Sequence, residues 1–138
     1  MSCLIDTTLF IAAYFPKEVH HKDAKEIVTA IHAQRIREAL ITDYILDETV
    51  TFVRARAGAE ASKKVLDTLL SSPNLKLLKI NKNHFEAGIA FFKRYDKLSF
   101  TDATTVAIMK DKGINLIYSF DSDFDAVPGI ARMAKPPI

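Results

Sequence analysis

The chain has 138 residues, of which 49% are hydrophobic and 26% are charged, a balance typical of one globular domain with one core. Its net charge of +2 argues neither for nor against nucleic acid binding. The chain has a single cysteine, Cys3, so it has no internal disulfide bond, and a reducing, cytoplasmic setting is expected. The neighbours of Cys3 are apolar, so its side chain is expected to be buried. No signal-peptide pattern is present, and the early apolar run at residues 9–15 is too short to span a membrane. We therefore expect one soluble domain over residues 1–138.

Apolar runs typical of buried strands alternate along the chain with amphipathic helical stripes. Strands are predicted at residues 1–5, 39–42, 75–80 and 114–119, with a final short strand near 131–134. Helices are predicted at residues 18–36, 43–57, 59–72, 81–95 and 99–113. Strands of continuous apolar character that alternate with helices predict a mainly parallel sheet covered on both faces. The expected fold is a three-layer α/β/α, Rossmann-like domain.

Four acidic residues that are far apart in sequence are predicted to meet at one edge of this sheet. Asp6 closes the first strand and Asp121 follows the fourth, so both lie at the carboxyl ends of strands. Helices that connect parallel strands run antiparallel to them and begin at that same edge. Glu48 lies about one turn into the helix after the second strand, and Asp102 lies in the first turn of the helix before the fourth. Asp123 is close behind this group.

Carboxylates brought this close repel one another, so at least one stays protonated unless a cation neutralises them. Oxygen ligands without a partner Cys or His suit Mg²⁺ or Mn²⁺ better than zinc. Such a cluster is typical of phosphoryl transfer or phosphodiester hydrolysis, in which the metal activates water and shields the developing charge.

Each acid also has a purely structural interpretation. Asp102 stands three residues after Ser99 in the spacing of a helix capping box, which is compatible with a second role in a site. Glu48 alone would be interpreted as a solvated helix residue, and Asp121 and Asp123 as turn formers. The acid that closes the first buried strand needs a partner in any interpretation. The coincidence of four acids at one edge is what favours a site.

Three stretches of the chain resemble the PIN-domain nucleases, and more narrowly the VapC-type toxins of toxin–antitoxin pairs. They are CLIDTTLFIAAY (3–14), ITDYILDETVTFVRA (41–55) and LSFTDATTVAIMKDKGINLIYSFDSDFDAVPGI (98–130). The family's four acids are matched by Asp6, Glu48, Asp102 and Asp121. Its D-A dipeptide is matched at residues 102–103, and its T-x-D-x-D-F stretch at residues 119–124. Ser119 replaces the usual threonine there and keeps the hydroxyl, and Thr8 matches a small hydroxyl residue that supports the first acid.

The resemblance implies a Mg²⁺- or Mn²⁺-dependent ribonuclease that leaves a 5′-phosphate and a 3′-hydroxyl. Asp6, Asp102 and Asp121 would hold the metal, and Glu48 and Asp123 would complete the site directly or through water. The resemblance also implies a homodimer and a cognate antitoxin protein that covers the acidic pocket. These implications belong to the family and are expectations for this chain.

Other polar residues carry weaker signals. RNA phosphates require cations beside an acidic pocket. Candidates are Lys17, Lys22, Arg54, Arg56, Lys93, Arg94 and Lys97. Arg54 and Arg56 are also explained by the dipole at the end of their helix. The pair His20–His21 is expected on the surface, His32 and His84 need no function, and Tyr14 and Phe15 are expected to pack rather than to stack on bases. Phe124 is expected to pack its loop against the core, and Asp125 to be a turn or cap residue.

Two other classes of function compete with a nuclease: a phosphatase or phospho-accepting domain, and a non-catalytic interaction module. A haloacid-dehalogenase-type phosphatase would need D-x-D after the first strand, where this chain has Asp6-Thr7-Thr8, and a receiver domain would need an acidic pair and a suitably placed lysine. A non-catalytic RNA- or protein-interaction module would keep the fold and lose an acid. None of the four expected acids is missing.

Overall fold

A computed structural model describes all 138 residues, and its five strands form one parallel sheet in the order β3-β2-β1-β4-β5. The strands are β1 (Cys3–Ile5), β2 (Ala39–Thr42), β3 (Leu75–Leu78), β4 (Leu116–Tyr118) and β5 (Ala131–Met133). Successive side chains of a strand point to opposite faces, and every residue of β1 and β2 is buried. Both faces of the sheet are therefore covered, which confirms the predicted α/β/α fold.

Six α-helices and one short 3₁₀-helix (Ser122–Ala126) connect the strands. The α-helices are α1 (Thr7–Tyr14), α2 (His21–His32), α3 (Asp43–Ala57), α4 (Ala59–Ser71), α5 (Lys82–Arg94) and α6 (Phe100–Lys112). The helices that carry a clear apolar stripe and a capping residue lie where the sequence predicts them. Gly113, for example, ends α6 in the left-handed conformation, with φ of 67°. No helix has the length and apolar character that crossing a membrane requires.

Helix α1 is the element that the sequence pattern did not predict. Its residues are nearly all apolar, so they show no helical periodicity, and the run follows directly on β1. Helix α2 is shorter than the predicted helix at 18–36, because the chain turns at Gln34, whose φ of 58° is left-handed. The strands at residues 75–80 and 114–119 are also shorter than predicted.

The strand order places a topological switch point between β1 and β4. From β1 the chain builds outward through β2 to β3, then returns to the other side of β1 to form β4 and β5. Ile5 pairs with Tyr118 at the carboxyl ends of β1 and β4, and the next backbone amide, that of Asp6, donates to the Tyr118 carbonyl. In open parallel sheets, ligands bind in the crevice at this point.

Candidate active site

The four acids predicted to meet do line one cavity, of about 470 Å³, at the switch point. Asp6, Glu48, Asp102 and Asp121 reach it from the end of β1, from α3, from α6 and from the loop after β4. Asp123 does not line the cavity, although its backbone amide donates to Asp121 Oδ1 at 2.9 Å. The structure therefore brings the quartet together and leaves the fifth acid at its edge.

Asp6 is the most deeply buried of these acids, at 2% exposure. Its carboxylate caps α1 by accepting a hydrogen bond from the Thr8 amide at 3.4 Å. The same oxygen, Oδ2, accepts hydrogen bonds of 2.7 Å from the hydroxyls of Thr8 and Ser119. Because both side-chain hydrogen bonds fall on Oδ2, Oδ1 is the oxygen left for a ligand.

Glu48 and Asp102 owe their positions to helix caps. Thr42, the last residue of β2, caps α3 by accepting a hydrogen bond from the Ile45 amide at 3.0 Å, so α3 begins at the sheet edge with Glu48 in its second turn. Ser99 and Asp102 form the capping box that the sequence predicts. Asp102 also lines the cavity, so the capping box fixes its carboxyl group near the other acids.

Two contacts hold the loop after β4 in place around Asp121. Phe124 is fully buried, as expected. Arg132 of β5 binds both oxygens of Asp125 at 3.0 Å and also donates to the Ser119 carbonyl, which precedes Asp121, at 3.2 Å. Asp125 is therefore the anchor of an ion pair, and Asp121 is the aspartate of this loop that faces the cavity.

The electrostatics of the cavity favour binding of a cation. Burial raises the pKa of the Asp6 carboxyl, against the hydrogen bonds that lower it. Burial, and next the charge of Asp6, raise the pKa of Asp102 from 3.8 to about 7. The pKa values of Glu48 and Asp121 are raised as well, first by burial and also by the neighbouring acids. A divalent ion would relieve this repulsion.

The donor set and one orphaned hydroxyl fit Mg²⁺ or Mn²⁺. Thr7 lines the cavity, and its buried Oγ1 forms no hydrogen bond of standard geometry. As the side chains stand, no three of the chain's His, Cys, Asp or Glu residues form a ready-made ion site. Mg²⁺ is commonly bound by one or two carboxylates and keeps several waters, so the cavity suits a hydrated ion rather than a closed cage.

Aromatic side chains form part of the cavity wall as well, and the sequence did not single them out for the site. His20 lies on the surface, as predicted. Its ring stacks on that of Phe120, with 4.4 Å between the ring centres and an angle of 7° between the planes. Both rings line the cavity, as does Phe52 of α3.

His84, which the sequence left without a role, lies outside the cavity. It is buried, completes the capping box of α5, and its Nε2 contacts Asp111 Oδ2 at 2.9 Å.

The fold and this pocket define a class of protein: a parallel α/β/α domain with an acidic, cation-attracting cavity at the switch point of its sheet. The PIN domain family model matches residues 3–130. The chain belongs to the PIN-domain family and, within it, to the VapC ribonucleases.

Curated relatives and solved structures agree with this assignment. The VapC ribonuclease of Archaeoglobus fulgidus is 31% identical over 135 residues, which cover 96% of this chain and 84% of that protein. The 23S rRNA-specific endonuclease VapC20 of Mycobacterium tuberculosis is 28% identical over 124 residues, which cover 88% of this chain and 91% of that protein. Its crystal structure, described as that of a sarcin–ricin loop cleaving toxin, superposes with a TM-score of 0.80 and covers 91% of this chain and 94% of that one.

A more distant structure shows that the fold is kept at low sequence identity. VapBC2 from Rickettsia felis, solved with a DNA fragment from its promoter, is 12% identical and has a TM-score of 0.72. The match covers 96% of this chain and 98% of that one.

Proposed function

We propose that this protein is a Mg²⁺- or Mn²⁺-dependent endoribonuclease and the toxin of a VapBC-type toxin–antitoxin pair. The observation that carries the proposal is the convergence of Asp6, Glu48, Asp102 and Asp121 on one cavity from four different elements. Relatives named as ribonucleases across nearly the whole chain support the choice of RNA as substrate.

In this proposal Asp6, Asp102 and Asp121 would hold the metal. Asp6 would contribute Oδ1, the oxygen free of side-chain hydrogen bonds, and Asp102 and Asp121 would complete the set directly or through water. Asp123 would act from the edge, by fixing Asp121 through its backbone amide. When bound, the ion supplies positive charge to the phosphodiester and lowers the pKa of coordinated water.

Glu48 is suited to accept the proton that the attacking water loses. It is half-buried, lines the cavity beside the other acids and stands on a rigid helix. Its raised pKa increases its basicity, which a general base requires near neutral pH. Asp6, by contrast, is fixed by two short hydrogen bonds from hydroxyls, as a ligand of constant position should be.

Several properties come to this chain from the family as part of the proposal. VapBC2 is described as a complex on promoter DNA, and we extend the antitoxin partner from such proteins to this one. A homodimer, a cytoplasmic location and a single domain over residues 1–138 belong to the same proposal. Light scattering of the purified protein tests the dimer, and co-expression with the product of the adjacent gene tests the antitoxin.

The activity is tested by incubating the purified protein with RNA and Mg²⁺ or Mn²⁺, with and without EDTA. Cleavage should require the metal and should fall at least about 100-fold in Asp6→Asn and Asp121→Asn, each of which should remain folded. Asp47→Asn is the matched control, because Asp47 is exposed on α3 and does not line the cavity. Full activity in Asp121→Asn, or RNA binding without cleavage by the unaltered protein, would overturn the proposal.

A further inference from the structure

Helix α3 carries an aromatic ring and a guanidinium group in line with the acidic cavity. Glu48, Phe52 and Arg56 follow one another at intervals of four residues, or about 6 Å along the helix axis. Glu48 and Phe52 line the cavity, and the Phe52 side chain is 38% exposed. The Arg56 guanidinium lies 5.1 Å from the centre of the Phe52 ring. A carboxylate, an aromatic face and a cation thus succeed one another outward from the site.

Arg56 is held by two aromatic rings and keeps its hydrogen-bond donors free. Its guanidinium also lies 5.2 Å from the Phe15 ring, which packs edge-on against Phe52 at 6.1 Å. Arg56 forms no salt bridge or side-chain hydrogen bond within the chain. Arg54, in the same turn, instead donates to Ser62 Oγ at 3.0 Å and faces α4. The helix dipole favours both arginines equally, so it does not explain why Arg56 alone is clamped between rings.

We propose that Phe52 and Arg56 bind the nucleotide next to the scissile phosphate, an inference that rests on the proposed ribonuclease function. Phe52 stacks on the base, and Arg56 binds the adjoining phosphate. An RNA strand alternates flat bases and charged phosphates, which matches an aromatic face followed by a free guanidinium. A cation here also offsets the negative potential of the four acids, which otherwise repels RNA.

The decisive measurement is RNA binding by a cleavage-deficient form. In an Asp121→Asn background with Mg²⁺ present, the dissociation constant of a labelled, mixed-sequence single-stranded RNA of about ten nucleotides is measured from low to moderate salt. Phe52→Ala should weaken binding roughly 10-fold without changing the salt dependence, because a lost base stack removes no ion pair. Arg56→Ala should weaken binding and also reduce its salt dependence. The slope of log K against log salt concentration, here called the salt slope, should fall in magnitude by about 0.7, the value for one phosphate contact on a single strand.

Three further variants separate this role from packing and from general charge. Phe52→Leu keeps apolar volume against Phe15 and should bind as weakly as Phe52→Ala if stacking is the cause. Arg56→Lys should keep much of the salt slope, since the charge remains. Arg54→Ala removes the same charge from the same helical turn on the other face and should leave affinity within about twofold and the slope unchanged.

The outcomes distinguish this inference from the proposed function. If the unaltered protein cleaves RNA but Phe52→Ala and Arg56→Ala bind like their parent, the assignment of Phe52 and Arg56 is wrong and the ribonuclease function stands. If Arg54→Ala weakens binding as much as Arg56→Ala, the effect is general charge and the inference is again overturned. If the variants change RNA affinity as expected while no cleavage occurs with either metal, the binding site stands and the proposed hydrolysis fails.

Discussion

Ser119 Oγ donates a 2.7 Å hydrogen bond to Asp6 Oδ2, which joins residues that are 113 positions apart. The same oxygen of Ser119 accepts a hydrogen bond from the Asp121 amide at 3.0 Å. Thr8 repeats the pattern, because its hydroxyl donates to Asp6 Oδ2 at 2.7 Å and accepts from the Phe120 amide at 3.0 Å. Two hydroxyl groups therefore connect the first acid of the site to the loop that carries the last.

Removing the Ser119 hydroxyl should weaken both stability and cleavage. Ser119→Ala leaves a buried carboxylate with one donor fewer and frees the Asp121 amide, so the free energy of unfolding should fall by about 1–3 kcal/mol. Because the two ends of the site lose their connection, kcat should fall as well. Ser119→Thr keeps the hydroxyl and should retain most of the stability and most of the kcat. Urea unfolding and RNA cleavage measured on the same preparations test this, and equal values for Ser119→Ala and the unaltered protein would contradict it.

Glu48 and Asp47 offer a matched pair of carboxylates on α3. Glu48 lines the cavity, whereas Asp47 is exposed and accepts a hydrogen bond from Thr51 at 3.2 Å. Glu48→Gln removes the proposed proton acceptor with little change in shape, so kcat should fall by about 100-fold or more with little change in KM. Asp47→Asn should cleave like the unaltered protein. Similar losses in the two variants would assign the effect to charge on the helix and not to the role of Glu48.

Without divalent ions, the protein should become less stable as the pH rises from about 5 to 8. The pKa of Asp102 is raised from 3.8 to about 7, so the folded form holds a proton that the unfolded form has lost. The contribution of Asp102 to the free energy of unfolding is fully present below pH 3.8 and is lost as the pH rises past 7. The loss is on the order of 4 kcal/mol. Asp111 and Asp125 have lowered pKa values, so their contributions change at lower pH, outside this range.

Urea unfolding in EDTA at several pH values measures this effect. Asp102→Asn should reduce the pH dependence, because one of the carboxyl groups with a raised pKa is gone. Added Mg²⁺ or Mn²⁺ should restore stability at pH 8 and have a smaller effect at pH 5, where Asp102 already holds a proton. A stability that rises with pH in EDTA would show that the acids are not crowded as the structure places them.

The acids of the site were predictable because their positions follow from strand ends and helix starts. The position of Asp6 follows from the end of β1, and the position of Asp102 follows from the start of α6. Both boundaries leave clear local patterns in the sequence. The stack of His20 on Phe120 leaves no such pattern, because it joins a loop before α2 to the loop after β4. Helix α1 was missed for a related reason: a segment that is apolar on all sides shows burial but not periodicity.

Gly88 sets how closely α5 can approach α6, the helix that carries Asp102. A Cβ atom at this position would lie 2.9 Å from Thr104 Cγ2 and 3.3 Å from the Thr104 Cα. Helix propensity alone predicts that Gly88→Ala stabilises the protein by about 1 kcal/mol. Because the second neighbour is backbone, relieving the clash requires the helices to separate, and the free energy of unfolding should instead fall by about 1–3 kcal/mol. The sign of the change in urea unfolding decides between the two effects.

A Thr104→Ser background, which removes Cγ2, tests the clash with the methyl group. Gly88→Ala should cost less stability in that background, and an equal loss in both backgrounds would contradict the clash.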